Sequence, residues 1–153
     1  MLELSSIAID PALANKGAWF EYMGGRFLVA RQGQAHQEVL GLLYSQNADI
    51  ANAKDAEGKP TVEASAKLIE IYQQAFAQSC LLDWDGITEN GEPLAYTPEL
   101  GFKVLSNPRY QELTTKLEQF SLMHSNYRER VQEEVAEVVK SSAGSKSRTA
   151  KKA

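Results

Sequence analysis

A chain of 153 residues, 43% hydrophobic and 24% charged, is long enough for one domain with a real core, because a fold of this size buries roughly 70% of the surface of its unfolded chain. No window approaches the roughly 20 apolar residues of a membrane span, and MLELSSIAIDPALA, with Glu3 early and no basic leader, does not read as a secretory signal, so the expectation is a cytoplasmic, membrane-free chain. The net charge of −4 divides unevenly: residues 141–153 hold Lys146, Arg148, Lys151 and Lys152 and no acid, which leaves −8 on residues 1–140.

The first predicted elements are strands. In AWFEYMGGRFLVAR, residues 18–31, aromatic and β-branched residues flank Gly24-Gly25, a dipeptide suited to the positive φ angles of a two-residue turn. The pattern predicts a β-hairpin over about 17–23 and 26–32, with Trp19, Glu21 and Met23 on one face and Phe20 and Tyr22 on the other. Apolar bulk on both faces requires a cover, and helices are expected to provide it. From residue 35 the period changes. Val39, Leu40, Leu42 and Leu43 predict a helix over about 34–50, ended by the polar NAKDAEGKP, which reads as a mobile loop.

Ala64, Leu68, Ile71, Tyr72, Ala75, Phe76, Ser79 and Leu82 recur at three- and four-residue intervals, the stripe of an amphipathic helix over 62–82. The lone Cys80 lies on the apolar side of this stripe and reads as an inert core thiol. Thr97-Pro98-Glu99 reads as N-cap, proline at the first helical position and an acid near the positive helix end, starting a helix over 98–106. Asn107-Pro108 repeats that logic for a helix over 108–123 with Tyr110, Leu113, Leu117 and Phe120 on one face. A last helix is predicted over 125–140, carrying Tyr127, Val131, Val135 and Val138 in line. The Ser/Ala/Lys segment 141–153 has no apolar residue larger than alanine and is predicted to be a disordered tail. The predicted class is α+β, mostly α: an N-terminal hairpin packed against about five helices in a single globular domain over 1–140.

Between the two best helices lies LLDWDGITENGEPLAYTPE, residues 81–99, which holds most of the polar chemistry. Counted from Asp83 as a calcium loop, it has Ile87 where an oxygen ligand belongs, Thr88 where glycine belongs and Leu94 where the bidentate acid belongs. Its five acids lie on an apparently open turn, with no sign of the burial that would raise a catalytic carboxylate. His36 and His124 lack metal-ligand spacing, and Gly24-Gly25 lacks the Lys-Ser/Thr of a phosphate loop. The pattern therefore predicts a non-enzyme with no cofactor and no metal.

A structural strap explains more of these residues. Asn90-Gly91 supplies a tight turn, Gly86 relieves the chain after Trp84, and Pro93 keeps the stretch out of regular helix or sheet. Trp84, Ile87, Leu94 and Tyr96 become inward anchors along a polar connection between two helices.

A helix that ends in aliphatic-Asp-Trp-x-Gly-Ile, followed by acid-Asn-Gly-x-Pro-Leu-x-Tyr-Thr-Pro-Glu and a short helix, resembles the tail assembly chaperones of long-tailed bacteriophages. Trp84, Gly86, Ile87, Asn90, Gly91, Pro93, Leu94, Tyr96 and Thr97 carry the likeness, which extends over about residues 15–125. The resemblance implies a non-enzymatic role in the host cytoplasm, coating the tape measure protein and handing it to the major tail protein as the tube polymerises. The exposed part of Tyr110, Leu117, Phe120, Tyr127, Val131 and Val135 is the expected partner surface, and self-association is a further expectation. The alternative is a nucleic-acid-associated accessory protein acting through the basic tail, whose affinity would fall steeply with salt.

Overall fold

The computed structural model describes residues 1–129. The hairpin forms as β1 (Ala18–Tyr22) and β2 (Gly25–Val29), paired antiparallel from Ala18↔Val29 to Tyr22↔Gly25. Its turn residues are Met23 and Gly24, at φ of 50° and 91°, and not the two glycines. The dipeptide divides its work. Gly24 takes the left-handed turn position, whereas Gly25 makes room, since a Cβ there would sit 2.6 Å from Ile87 Cδ1.

A short helix α1 (Pro11–Lys16) precedes the hairpin, with Asp10 as N-cap accepting from Ala12 N at 3.0 Å. Sequence reasoning passed over it, although Asp10-Pro11 obeys the same cap-and-proline rule as Thr97-Pro98. Next come α2 (Gln34–Gln46) and the single turn α3 (Ala48–Ala51), filling the span read as one helix. The polar loop expected to be mobile is closed on itself: Lys54 bridges Pro60, and Asp55 Oδ1 accepts from Glu57 N at 2.8 Å and Lys59 N at 3.0 Å.

The main amphipathic helix, α4 (Val62–Ser79), is capped by the Thr61 side chain, which accepts from Ala64 N at 3.0 Å. It ends three residues earlier than its stripe predicted. Leu81–Asp85 is not helix but β3, the third strand, antiparallel to β2 with Phe27 opposite Trp84. The sheet order is β1-β2-β3. A bulge between Leu28 and Val29 lets Leu81 and Trp84 both face the core while Asp83 and Asp85 stay exposed. The tiny hairpin β4 (Thr88–Glu89) and β5 (Glu92–Pro93) follows, so Pro93 does join a ladder, opposite Thr88, in a strand too short to need a proline N–H.

The helices α5 (Pro98–Ser106) and α6 (Gln111–Leu122) match their predicted spans, the latter entered through a 3-10 turn at Pro108–Tyr110. The helix expected from residue 125 does not start there. His124–Tyr127 is a 3-10 turn, after which Arg128 pairs with Ile9 and Glu129 N donates to Ala8 O at 2.8 Å. The remainder of that predicted helix, with Val131 and Val135, and the tail 141–153 lie outside the described residues. The class is α+β and mostly α, a small antiparallel sheet with its N-terminal hairpin among six α-helices of the described residues. None of those helices is long and apolar enough to cross a membrane.

Two apolar clusters form among the described residues. The larger joins Phe27 and Val29 of β2 to Phe76, Ala77, Cys80, Leu81, Trp84, Leu105 and Leu117; the smaller joins Leu43, Ala51, Ile71 and Ala75.

Candidate functional site

The strap is built from the inside outward. Trp84 is 5% exposed, its ring packs edge-on to Tyr96 at 4.9 Å and to Phe27 at 6.3 Å, and its indole N–H donates to Leu94 O at 2.7 Å. Tyr96 in turn donates its hydroxyl to Leu81 O at 2.5 Å, with Ala77 O 3.2 Å away. Both polar handles of the two rings thus find backbone carbonyls, as buried aromatic donors must. Burial pushes the Tyr96 hydroxyl pKa up to about 12, and the negative charges of Asp83 and Glu99 push the same way. The phenol therefore remains a donor across the physiological range.

The turn residues serve this closure. Gly86 stands at φ 72°, where a Cβ would approach Gly24 O at 3.3 Å, and Asn90-Gly91 make the β4–β5 turn at φ 53° and 82°. Leu94 N donates to Ile87 O at 2.9 Å, and Ile87 and Leu94 pack half-buried on the larger cluster. Asp83 and Asp85 have local duties. Asp83 Oδ1 accepts from Trp84 N at 2.8 Å, and Asp85 pairs with Arg26 at 3.2 Å. Among the described residues no three His, Cys, Asp or Glu side chains gather as a metal site would require.

The strap also shapes a groove. Between α4 and α5 lies a cleft of about 450 Å³, with Ala77, Pro98 and Phe102 as its apolar lining and Gln74, Gln78, Glu99 and Lys103 around it. Nothing in the sequence marked it, because its two walls are brought together only when Tyr96 ties the start of α5 to the end of α4.

The surface expected from the last two helices is rearranged. Leu117 and Tyr127 are wholly buried and cannot meet a partner in this fold. Tyr127 donates its hydroxyl to Val29 O at 2.9 Å, and burial raises its pKa. Phe120 is half-buried, against Phe20 at 5.1 Å and Tyr127 at 6.0 Å, and among the described members of that surface only Tyr110, at 41%, is exposed. Their shared helical stripe was real in α6, but it faces the sheet.

Two polar features escaped sequence reasoning. His36 is 2% exposed, edge-on to Tyr72 and Phe76, with Nδ1 3.2 Å from Ser79 Oγ and Nε2 without a partner among the described residues. Burial lowers its pKa, with the Ala75 carbonyl partly opposing that shift, so the neutral ring is the folded form. Nearby, Gln32 Nε2 donates to Tyr72 Oη at 2.7 Å and Ser121 Oγ at 2.8 Å, joining the end of the hairpin to α4 and α6. The other histidine, His124, is exposed. Cys80 is fully buried, and burial pushes its thiol up to about 12, so it is not a nucleophile at neutral pH.

What these features define is a small α+β protein whose α4 and α5 are tied by an aromatic strap beside an open groove. The model of the YdaY prophage protein family matches residues 34–138, from the start of α2 through the strap and beyond α6. The chain belongs to that family and is a prophage protein. No match was found among curated proteins or among solved structures.

Proposed function

We propose that this prophage protein is a non-enzymatic tail assembly chaperone, which holds the helical tape measure protein in the host cytoplasm until the major tail protein displaces it. The observation that carries the reading is the strap with the groove beside it. A chaperone of this kind needs a preformed apolar lining that an amphipathic helix can enter and leave, and Ala77, Pro98 and Phe102 offer one, rimmed by groups of both charges. Membership of a prophage family and the likeness of the 84–97 motif to tail chaperones support the same assignment. A groove of this size, lined by few large side chains, suits reversible holding better than permanent assembly.

The test is co-expression with the tape measure protein of the same prophage. The chaperone should raise its soluble yield several-fold, and Gln78→Trp, which fills the groove from an exposed position, should remove that gain while leaving the melting temperature unchanged. An unchanged tape measure yield with the unaltered chain would overturn the assignment.

A further inference from the structure

The two edges of the sheet are treated differently. On β3 two backbone groups are already taken, since Tyr96 donates to Leu81 O and Trp84 N donates to Asp83 Oδ1, and the bulge and the exposed Asp83 and Asp85 break up any template. Those are the devices by which edge strands avoid further pairing. The β1 edge has no bulge and, among the described residues, no occupied outward group, and its single charge is Glu21. Its register with β2 runs unbroken over five pairs, and AWFEY contains no proline and no lysine.

The outward groups of β1 follow from its turn. A two-residue turn at Met23-Gly24 makes Tyr22↔Gly25 a hydrogen-bonded pair, so Ala18, Phe20 and Tyr22 direct their N–H and C=O groups to β2. Trp19 and Glu21 direct theirs outward, where no partner lies among the described residues. Both side chains are exposed and share one face with Arg26, whose guanidinium lies 4.1 Å over the Trp19 ring. Glu21 has no ion pair among the described residues.

We propose that β1 is a homodimerisation edge, joining two copies of this chain antiparallel about a two-fold axis at Phe20. That register alone sets Trp19 opposite Glu21 of the second copy and Glu21 opposite Trp19, so every outward N–H and C=O of these residues in both copies is paired. It also brings each Glu21 carboxylate to the Arg26 guanidinium that covers the opposing tryptophan. The complementarity is isologous, as a two-fold interface demands. A register centred on Glu21 would set two carboxylates face to face, and one centred on Trp19 would leave Glu21 unpaired. On the covered face Phe20 meets Phe20 of the second copy in a non-hydrogen-bonded pair, where side chains approach most closely. An extended foreign peptide could use the backbone groups but would have no reason to match Glu21 with Arg26. The proposal is independent of the α4–α5 groove.

Sedimentation equilibrium of the full chain tests it. The unaltered protein should show a reversible monomer–dimer equilibrium. Glu21→Arg and Arg26→Glu, each on an exposed side chain, should separately weaken association by about tenfold or more while keeping the circular dichroism of the parent. Mixing the two variants should restore the dimer, because each opposing pair is then again Arg with Glu. A monomer at the highest soluble concentration, a dimer indifferent to both substitutions, or a mixture that stays monomeric would each overturn the proposal.

Discussion

The two apolar clusters are held together by different kinds of contact. The larger one brings the early strand β2 together with α4, β3, α5 and α6 around Phe27, Phe76, Trp84, Leu105 and Leu117. The smaller one is made by three consecutive helices, α2, α3 and α4, and two of its four buried members are alanines. A cluster of large side chains shared by five elements forms and is lost as a unit, whereas a small one shared by three helices can open with little disturbance elsewhere. The first sets the global stability of the fold; the second sets how firmly α2 and α3 lie on α4.

Trp84→Ala should have the largest effect, a loss of about 3–5 kcal/mol in denaturant unfolding, because it empties a buried aromatic site and leaves Leu94 O without its donor. Ile71→Ala in the smaller cluster should cost about 2–3 kcal/mol, at the low end for deleting a buried aliphatic chain. Its signature should be faster hydrogen exchange confined to α2, α3 and the first half of α4. Exchange that quickens equally across the sheet would abolish the distinction between the clusters.

His36, which touches Phe76 of the larger cluster and lies on α2, sharpens the comparison through pH. Its folded pKa is depressed, so the unfolded chain binds the proton more readily. Stability is then undiminished above the unfolded value of roughly 6.5 and falls as pH drops below it, until the folded pKa is passed. The melting temperature should decline on acidification from pH 7.5 to about 5.5, and His36→Gln should flatten that decline. A steeper decline in the variant would refute the assignment. Asp85→Asn should matter least, under about 0.5 kcal/mol, because the Arg26–Asp85 pair is exposed on both sides. A larger cost would mean that the aspartate does more than decorate the open face of the sheet.

Legibility in the sequence tracked the range of the interaction responsible. Thr97 and Asn107 cap helices as predicted, α4 starts at its predicted residue behind a Thr61 cap, and the hairpin and the Asn90-Gly91 turn appear where short-range rules put them. Leu81–Asp85 was misread because Leu82 extends the α4 stripe by one more step. The alternation of Asp83, Trp84 and Asp85 between the two faces was a strand signal, but only pairing with β2 makes a strand of it. Tyr127 was misassigned for a similar reason. Its spacing to Val131 and Val135 suited a helix, yet the hydroxyl reaches Val29 O, and the adjoining backbone pairs with residues 8–10.

The chain's own sequence determined its mostly helical class, the starts of three major helices, the hairpin and the anchors of the strap, since caps, turns and apolar periodicity act within a few residues. Tertiary structure decided what those pieces face. It converted the end of the α4 stripe into a third strand, buried Leu117 and Tyr127, opened the groove beside the strap and left β1 at a sheet edge with no further strand among the described residues. The physical reason is that a local pattern specifies which side of an element is apolar, while the identity of the surface that covers it depends on segments tens of residues away.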